Sequence, residues 1–279
     1  MEKARQTGVR LFCTALYCED RFNGEASFRH FQDILHFIRE RFDRVDLIMN
    51  SGHLEKLRAD PDQPATVLLM ENADALAGDI SYVDSLKEEG IRIVGLTHAG
   101  NNRVADGNNV LHSDGITTDG REVIHAITRN RIVIDVAHLH QSCFWQLLDL
   151  TEGPIISSHT GIRALCNIPR NIDLDQAREI LERQGMVGIT FNPQMLSMKG
   201  NASLEDVFAH VDVLVQKFGP EGVGIGSDFC GFEEPAFGLE DVSKVRKLAD
   251  MMLEHGYGNE AARKIMGINW LQFYKKLFS

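Results

Sequence analysis

Seven short apolar runs, rich in β-branched residues and separated by longer amphipathic stretches, constrain this chain more than any other feature: RLFCTAL (10–16), TVLLM (66–70), IRIVGLT (91–97), RIVIDVA (131–137), GPIISS (153–158), GMVGITF (185–191) and GVGIGS (222–227). Continuous apolar runs suit strands covered on both faces. The intervening stretches have helical spacing. In FRHFQDILHFIRERF (28–42), Phe28, Phe31, Ile34, Leu35 and Ile38 recur every three or four residues; farther on, Ser203 with Asp206 forms a capping box, Phe208, Val211, Leu214, Val215 and Phe218 line a face, and Gly219 closes the helix. Repeated β–α alternation demands parallel strands with crossover helices.

Two architectures satisfy that demand, an open doubly wound sheet and a closed eight-stranded barrel, and polar residues separate them. No GxGxxG or GxxxxGK[ST] follows any run, whereas Glu71, His98, His138, His159 and Asp228 stand at one strand end after another. Ionisable groups converging from many strand ends suit a barrel, so a (β/α)8 TIM-type fold of the metal-dependent hydrolase kind is expected. Seven runs are one short of closure, and RVDLIMN (44–50) is an added piece that could supply the eighth. Nothing resembling a linker interrupts residues 1–279, which predicts one domain.

Charge and cysteine usage narrow the partners. A formal net charge of −11 repels phosphate backbones and anionic lipids, pointing away from nucleic acid and membranes and toward small molecules. The five cysteines form no CxxC pair, which fits reduced thiols in a cytoplasmic setting. The apolar stretch near the N-terminus is too short for a signal peptide, and no run approaches the roughly 18 apolar residues of a membrane span.

A zinc-type ion accepts imidazole and carboxylate ligands, and hydrolysis needs one position left for water. Glu71, His138 and His159 are candidates for three such ligands on separate strands. The remaining histidines fall in helical patterns or turns and are expected to be solvated or packed. Asp135, within VIDVA, suits a partner of a ligand and a structural acceptor equally.

The segments LLMENADAL, GIRIVGLTHAGNN, IVIDVAHLH, PIISSHTGIRALCNIPRNI and VGIGSDFCGF, in this order, resemble the membrane dipeptidase (renal dipeptidase) family of metallopeptidases. The resemblance runs from about residue 8 to the C-terminus. It implies a (β/α)8 barrel carrying two zinc ions and hydrolysing dipeptides. Glu71 then matches the metal-bridging glutamate, and His138 and His159 complete one metal site. By the same resemblance His98 stabilises the oxyanion, Asp228 handles the proton and Arg170 holds the substrate carboxylate.

Members of that family begin with a strand ending in a His-x-Asp pair that supplies two ligands, and no such pair precedes Glu71 here. The expected barrel therefore lacks or alters its first strand and holds one ion rather than two. Glu19 or Asp20, just past the first apolar run, could replace a missing ligand. Three readings follow: a dipeptidase-like hydrolase with low or altered activity, a non-catalytic relative serving as a small-ligand binding module or assembly subunit, and a protein whose true start lies upstream. Unpaired barrel edges would give a homo-oligomer a purpose.

The polar stretch AGNNRVADGNNVLHSDGITTDG (99–120) is too long for a plain connection and is expected to cover the mouth of the site.

Overall fold

The computed structural model describes residues 2–41, 45–60 and 63–279. Phe42 of the first helical run and Arg44 of RVDLIMN lie outside the described residues. The chain divides into two compact units, Arg10–Pro154 with Lys275–Ser279, and Ile155–Tyr274 with the residues up to Val9.

The first unit is built on parallel strands: β1 (Leu11–Tyr17), β2 (Asp46–Leu47), β3 (Ala65–Glu71), β4 (Ile91–Gly95) and β5 (Val133–Asp135). In β3, Ala65 to Met70 are all buried, as a strand covered on both faces requires. β1 departs from that pattern, because Cys13, Ala15 and Tyr17 are exposed while Leu16 is buried. The eighth run yields a strand of two residues, β2, lying parallel to the start of β3. β5 is shorter than its apolar run. Arg131 turns the chain in at a positive φ of 53°, and Asp135 Oδ1 accepts the Ala137 N–H at 3.0 Å, starting a turn where the ladder would have continued.

Register places the strand ends in one row. Tyr17 pairs with Glu71, Glu71 with Gly95 and Gly95 with Asp135. Helix Ser27–Arg41 buries Phe31 and Leu35 on one stripe. Helix Thr118–Arg129 starts at Thr117, whose side chain accepts the Gly120 N–H, and buries Val123, Ile124 and Ile127.

In the second unit β6 (Ile155–Thr160), β7 (Met186–Ile189) and β8 (Val223–Ile225) run parallel in that order. Gly188 permits their close approach, since a Cβ there would lie 2.2 Å from the Ser158 carbonyl oxygen. Helix Leu204–Phe218 opens with the expected Ser203–Asp206 capping box and stops at Gly219, at φ 85°. Its buried face is Val207, His210, Val211 and Leu214. His210 accepts the Ile162 N–H at Nδ1 and lies 3.0 Å from Leu196 O through Nε2, with burial pushing its pKa down. Among the described residues no helix is long and apolar enough to cross a membrane.

Candidate metal centre

Glu71 is the last residue of β3, and His98 and His138 follow the ends of β4 and β5 by three residues each. Aligned strand ends thus deliver three ligand-type side chains to one place. One ligand atom from each lies within 4.8 Å of the other two, and His138 Nε2 is 3.2 Å from Glu71 Oε1. The His98 and His138 rings are 4.4 Å apart between centroids.

The backbone around these side chains is held by buried amides. Asn72, beside Glu71 at a positive φ of 88°, donates to Cys18 O and Asn23 Oδ1 through Nδ2. Its Oδ1 accepts from Asn102 Nδ2 and from the Asp74 N–H. Segments following β1, β3 and β4 are therefore joined through one side chain. His138 also sits at a positive φ, 66°, a conformation that costs a non-glycine residue about 1–3 kcal/mol and collects at functional sites.

The 99–120 stretch is an ordered hydrogen-bonded lobe. Asn108 N donates to His138 O at 2.7 Å, while Asn109 N donates to Ala99 O at 2.9 Å, so the lobe ties the histidine segments together. Gly107 packs so close to them that a Cβ would lie 2.0 Å from His98 O. Asp106 Oδ2 accepts from Ser113 Oγ, Asp114 N and Gly115 N, closing the loop on itself. Arg103 anchors it through Asp74, whose Oδ1 takes the Arg103 N–H and whose Oδ2 takes the guanidinium. Burial alone would raise the Asp74 pKa, but the bonds from Arg103, Gly24 and Ser27 outweigh it and hold the carboxyl below its ordinary value.

Asp20 lies beside the cluster, and Glu19 does not. Asp20 Oδ2 is 3.2 Å from His98 Nδ1 and accepts the Gly100 N–H at 2.9 Å, whereas Glu19 pairs with Arg21 at 2.8 Å. Tyr17 lays its ring 4.6 Å from that of His98, and its hydroxyl pKa is raised by burial first and then by Asp20, Glu19 and Glu71. The Cys18 thiol is pushed up to about 12 by burial and by the charges of Glu71 and Asp74.

One carboxylate and two imidazoles are the donor set of a zinc-type hydrolytic centre. Beside them Asp20 Oδ1 is buried and accepts no hydrogen bond among the described residues, an uncompensated acceptor that a cation would offset. The residues fit a divalent ion.

The other predicted site residues belong to the second unit. His159 lies within β6 rather than beyond it, with Nδ1 2.8 Å from Ser158 Oγ. Arg170 donates from Nη2 to His159 O at 3.0 Å. Its neighbour Asn171 is buried and brackets the loop, accepting the Gly161 N–H and donating to Cys166 O and Met195 O. Asp228 follows β8 by three residues at a positive φ of 59°, with Gly231 so close that a Cβ would lie 2.2 Å from its Oδ1. Sequence reasoning set His98 apart from the ligands and gave Asn72 and Asn102 no role. Asn72 carries one signal, a polar residue directly after a strand; Asn102 lies well past the end of β4 and carries none.

Comparison with known proteins places this arrangement. The dipeptidase tcpJ of Claviceps purpurea is 27% identical over 265 residues, covering 88% of this chain and 62% of its own length. The dipeptidase verJ of Clonostachys rogersoniana is 30% identical over 245 residues, covering 86% of this chain and 62% of its own. The chain thus spans under two thirds of the length of both curated relatives. Among solved structures, a metallo peptidase from Rhodobacter sphaeroides bound to a phosphinate mimic of L-Ala-D-Ala superposes with a TM-score of 0.90 at 21% identity, over 100% of this chain and 89% of that one. The dipeptidase AC of family M19 gives 0.90 at 22% identity, over 99% and 88%. These likenesses show the fold, the TIM-type α/β class expected from the strand and helix alternation together with the ionisable groups at strand ends. The family model for membrane dipeptidase matches residues 1–277, and the chain belongs to that family, Peptidase family M19.

Proposed function

We propose that the protein is a metal-dependent hydrolase of the amide bond in dipeptides or similar small amides. The observation that supports this most is the approach of Glu71, His98 and His138 to within 4.8 Å in a chain of the dipeptidase family. A divalent ion of the zinc type, when bound, supplies a Lewis acid that polarises a carbonyl and acidifies water. Glu71 and His138 would hold it, joined by His159 as the resemblance implies.

The remaining roles fall to this chain's own groups. Asp228 takes the proton released as water attacks and returns it to the leaving amine, general base and then general acid. Arg170 presents a planar fork of donors suited to the free carboxylate of a dipeptide. His98, by the family resemblance, donates to the oxygen that becomes negative. The substrate is a small molecule, a net charge of −11 disfavours nucleic acid and anionic membrane surfaces, and buried thiols at Cys18, Cys143 and Cys166 suit a reducing cytoplasm.

The test pairs metal analysis of the purified protein with hydrolysis of L,L- and L,D-dipeptides, with and without added zinc. Zinc-dependent turnover that disappears in His138→Ala and His159→Ala is expected. A bound ion without turnover would leave a non-catalytic relative that binds small ligands.

A further inference from the structure

Asn72 follows Glu71 at the end of β3, is fully buried, and has no part in the roles given above. Its side chain uses every hydrogen-bonding position that an amide has, two N–H donors and two oxygen lone pairs. Nδ2 donates to Cys18 O at 2.9 Å and to Asn23 Oδ1 at 2.8 Å, while Oδ1 accepts from Asn102 Nδ2 at 2.7 Å and from the Asp74 N–H at 3.1 Å. A backbone carbonyl can only accept and a backbone N–H only donate, so Cys18 and Asp74 fix which way the amide faces. Asn102 carries the connection onward. Its Nδ2 also donates to Leu96 O at 2.8 Å, just past β4, and its Oδ1 accepts the N–H groups of Val104 and Ala105 at 2.7 and 2.9 Å. Two neutral amides thus link the residue after Glu71 to both flanks of His98, Leu96 before it and Asn102 after it. Asn72 sits at a φ of 88°, which glycine would adopt without steric cost; what asparagine adds there is the amide.

We propose that Asn72 is a positioning residue that, through Asn102, sets the separation between Glu71, which holds the ion, and His98, which donates to the oxygen that becomes negative. The proposal rests on the metal-dependent reading above and keeps every task assigned there. A donor serves an oxyanion only if it lies about 2.7–3.1 Å from the place where the charge develops. Misplacing a reacting group by about 1 Å costs about 100-fold in rate, so a link that fixes the spacing of two such groups bears on turnover without touching the substrate. A neutral amide makes the link without adding charge, whereas a carboxylate at the same place would repel Glu71 and face the Cys18 carbonyl. The backbone bond from Cys18 N to Glu71 O, at 3.0 Å, joins the first two segments independently of the side chain. Loss of the amide should therefore loosen the spacing and leave the fold in place.

The test uses the full zinc-loaded chain and a dipeptide substrate. Asn72→Gly keeps the backbone conformation and removes all four side-chain bonds, while Asn72→Asp keeps the shape but turns the donor that meets Cys18 O into an acceptor. Thr117→Ala, at the far end of the lobe, is a destabilised control outside the network. Both Asn72 variants should lower kcat per bound zinc about 10- to 100-fold with KM little changed, because the oxyanion exists only in the transition state. Zinc affinity, read by chelator competition without substrate, should fall about 10-fold, and the visible absorption of the cobalt-substituted protein should shift. Thr117→Ala should lower Tm and leave kcat, zinc affinity and the cobalt spectrum as in wild type. If Asn72→Gly does not fold, Asn72→Asp and Asn102→Asp carry the test, the second breaking the same link from its other side. Folded Asn72 variants with wild-type kcat, whatever their KM or Tm, would make the amide structural only and overturn the proposal while leaving the metal-dependent reading intact. Wild-type protein without zinc-dependent hydrolysis would remove both.

Discussion

Asp74 and Asp20 are two aspartates of the same unit, near the same row of strand ends, and their surroundings differ in kind. Asp74 is buried with both oxygens occupied: Oδ1 takes the Arg103 N–H, and Oδ2 takes Gly24 N and the Arg103 guanidinium, which also bonds Ser27 Oγ. Asp20 has one oxygen on His98 and Gly100 and the other buried without a hydrogen bond among the described residues. A buried polar network in which every group is matched gains rigidity and needs nothing more. One that ends on an unmatched carboxylate oxygen, beside two imidazoles and Glu71, leaves an acceptor that the proposed cation would offset. Backbone strain sharpens the contrast, because His138 is held at a φ of 66°, a costly conformation for a non-glycine residue.

The contrast is open to measurement, beginning where the largest effect is expected. If Glu71 and His138 hold the ion as proposed, Glu71→Gln and His138→Ala should each lower zinc affinity and kcat/KM by more than about 100-fold, more than the loss of a residue that only supports a ligand. His138→Gly should lose the ion equally while holding or raising the unfolding midpoint, because glycine accepts the positive φ at no steric cost. A His138→Gly protein markedly less stable than wild type would make this histidine structural and erase the contrast.

Asp74→Asn should cost about 2 kcal/mol in urea unfolding, because it removes the charge of a buried carboxylate that accepts several hydrogen bonds from the partly exposed Arg103. A loss below about 0.5 kcal/mol, the level of an ordinary surface change, would mean that the matched network does not hold the lobe. The same pair predicts a pH dependence. Its partners hold the Asp74 carboxyl below its ordinary value, so its contribution is complete above the unfolded pKa and is lost as pH falls through the lower, folded one. The stability gap between wild type and Asp74→Asn should therefore be flat above about pH 5 and shrink as pH falls below about 4, as followed by denaturation across a pH series. The smallest effect is at the far end of the lobe. Thr117→Ala removes the cap on Gly120 N and should cost about 1 kcal/mol, seen as a lower Tm.

Legibility in the sequence followed the physics of each feature. β3 was readable because a strand buried on both faces must be apolar throughout, and helix Leu204–Phe218 because its capping box and Gly219 are local signals. β5 was read too long, since its apolar run continues through Val136 and Ala137 while the Asp135 side chain starts a turn that apolarity does not reveal. His210 is a packed helical histidine, as its pattern allows, but spacing does not show that it joins two backbone segments in the core of the second unit. The long polar stretch after His98 was recognised as too long for a simple loop. That it would tie the segments of His98 and His138 to each other depended on bonds such as Asn108 N to His138 O, which no spacing encodes.

By itself the sequence determined the alternation of strands and helices, the family resemblance and the identity of the ionisable groups at strand ends, because apolar periodicity and residue chemistry are properties of short stretches. Tertiary structure decided which of those groups meet. Parallel register aligns the ends of β1, β3, β4 and β5, so Asp20, Glu71, His98 and His138, distant in the chain, become neighbours. Hydrogen-bond satisfaction, which separates the structural Asp74 from Asp20 beside the candidate ion, is a property of that assembled neighbourhood and exists only once the backbone has brought the donors and acceptors within reach.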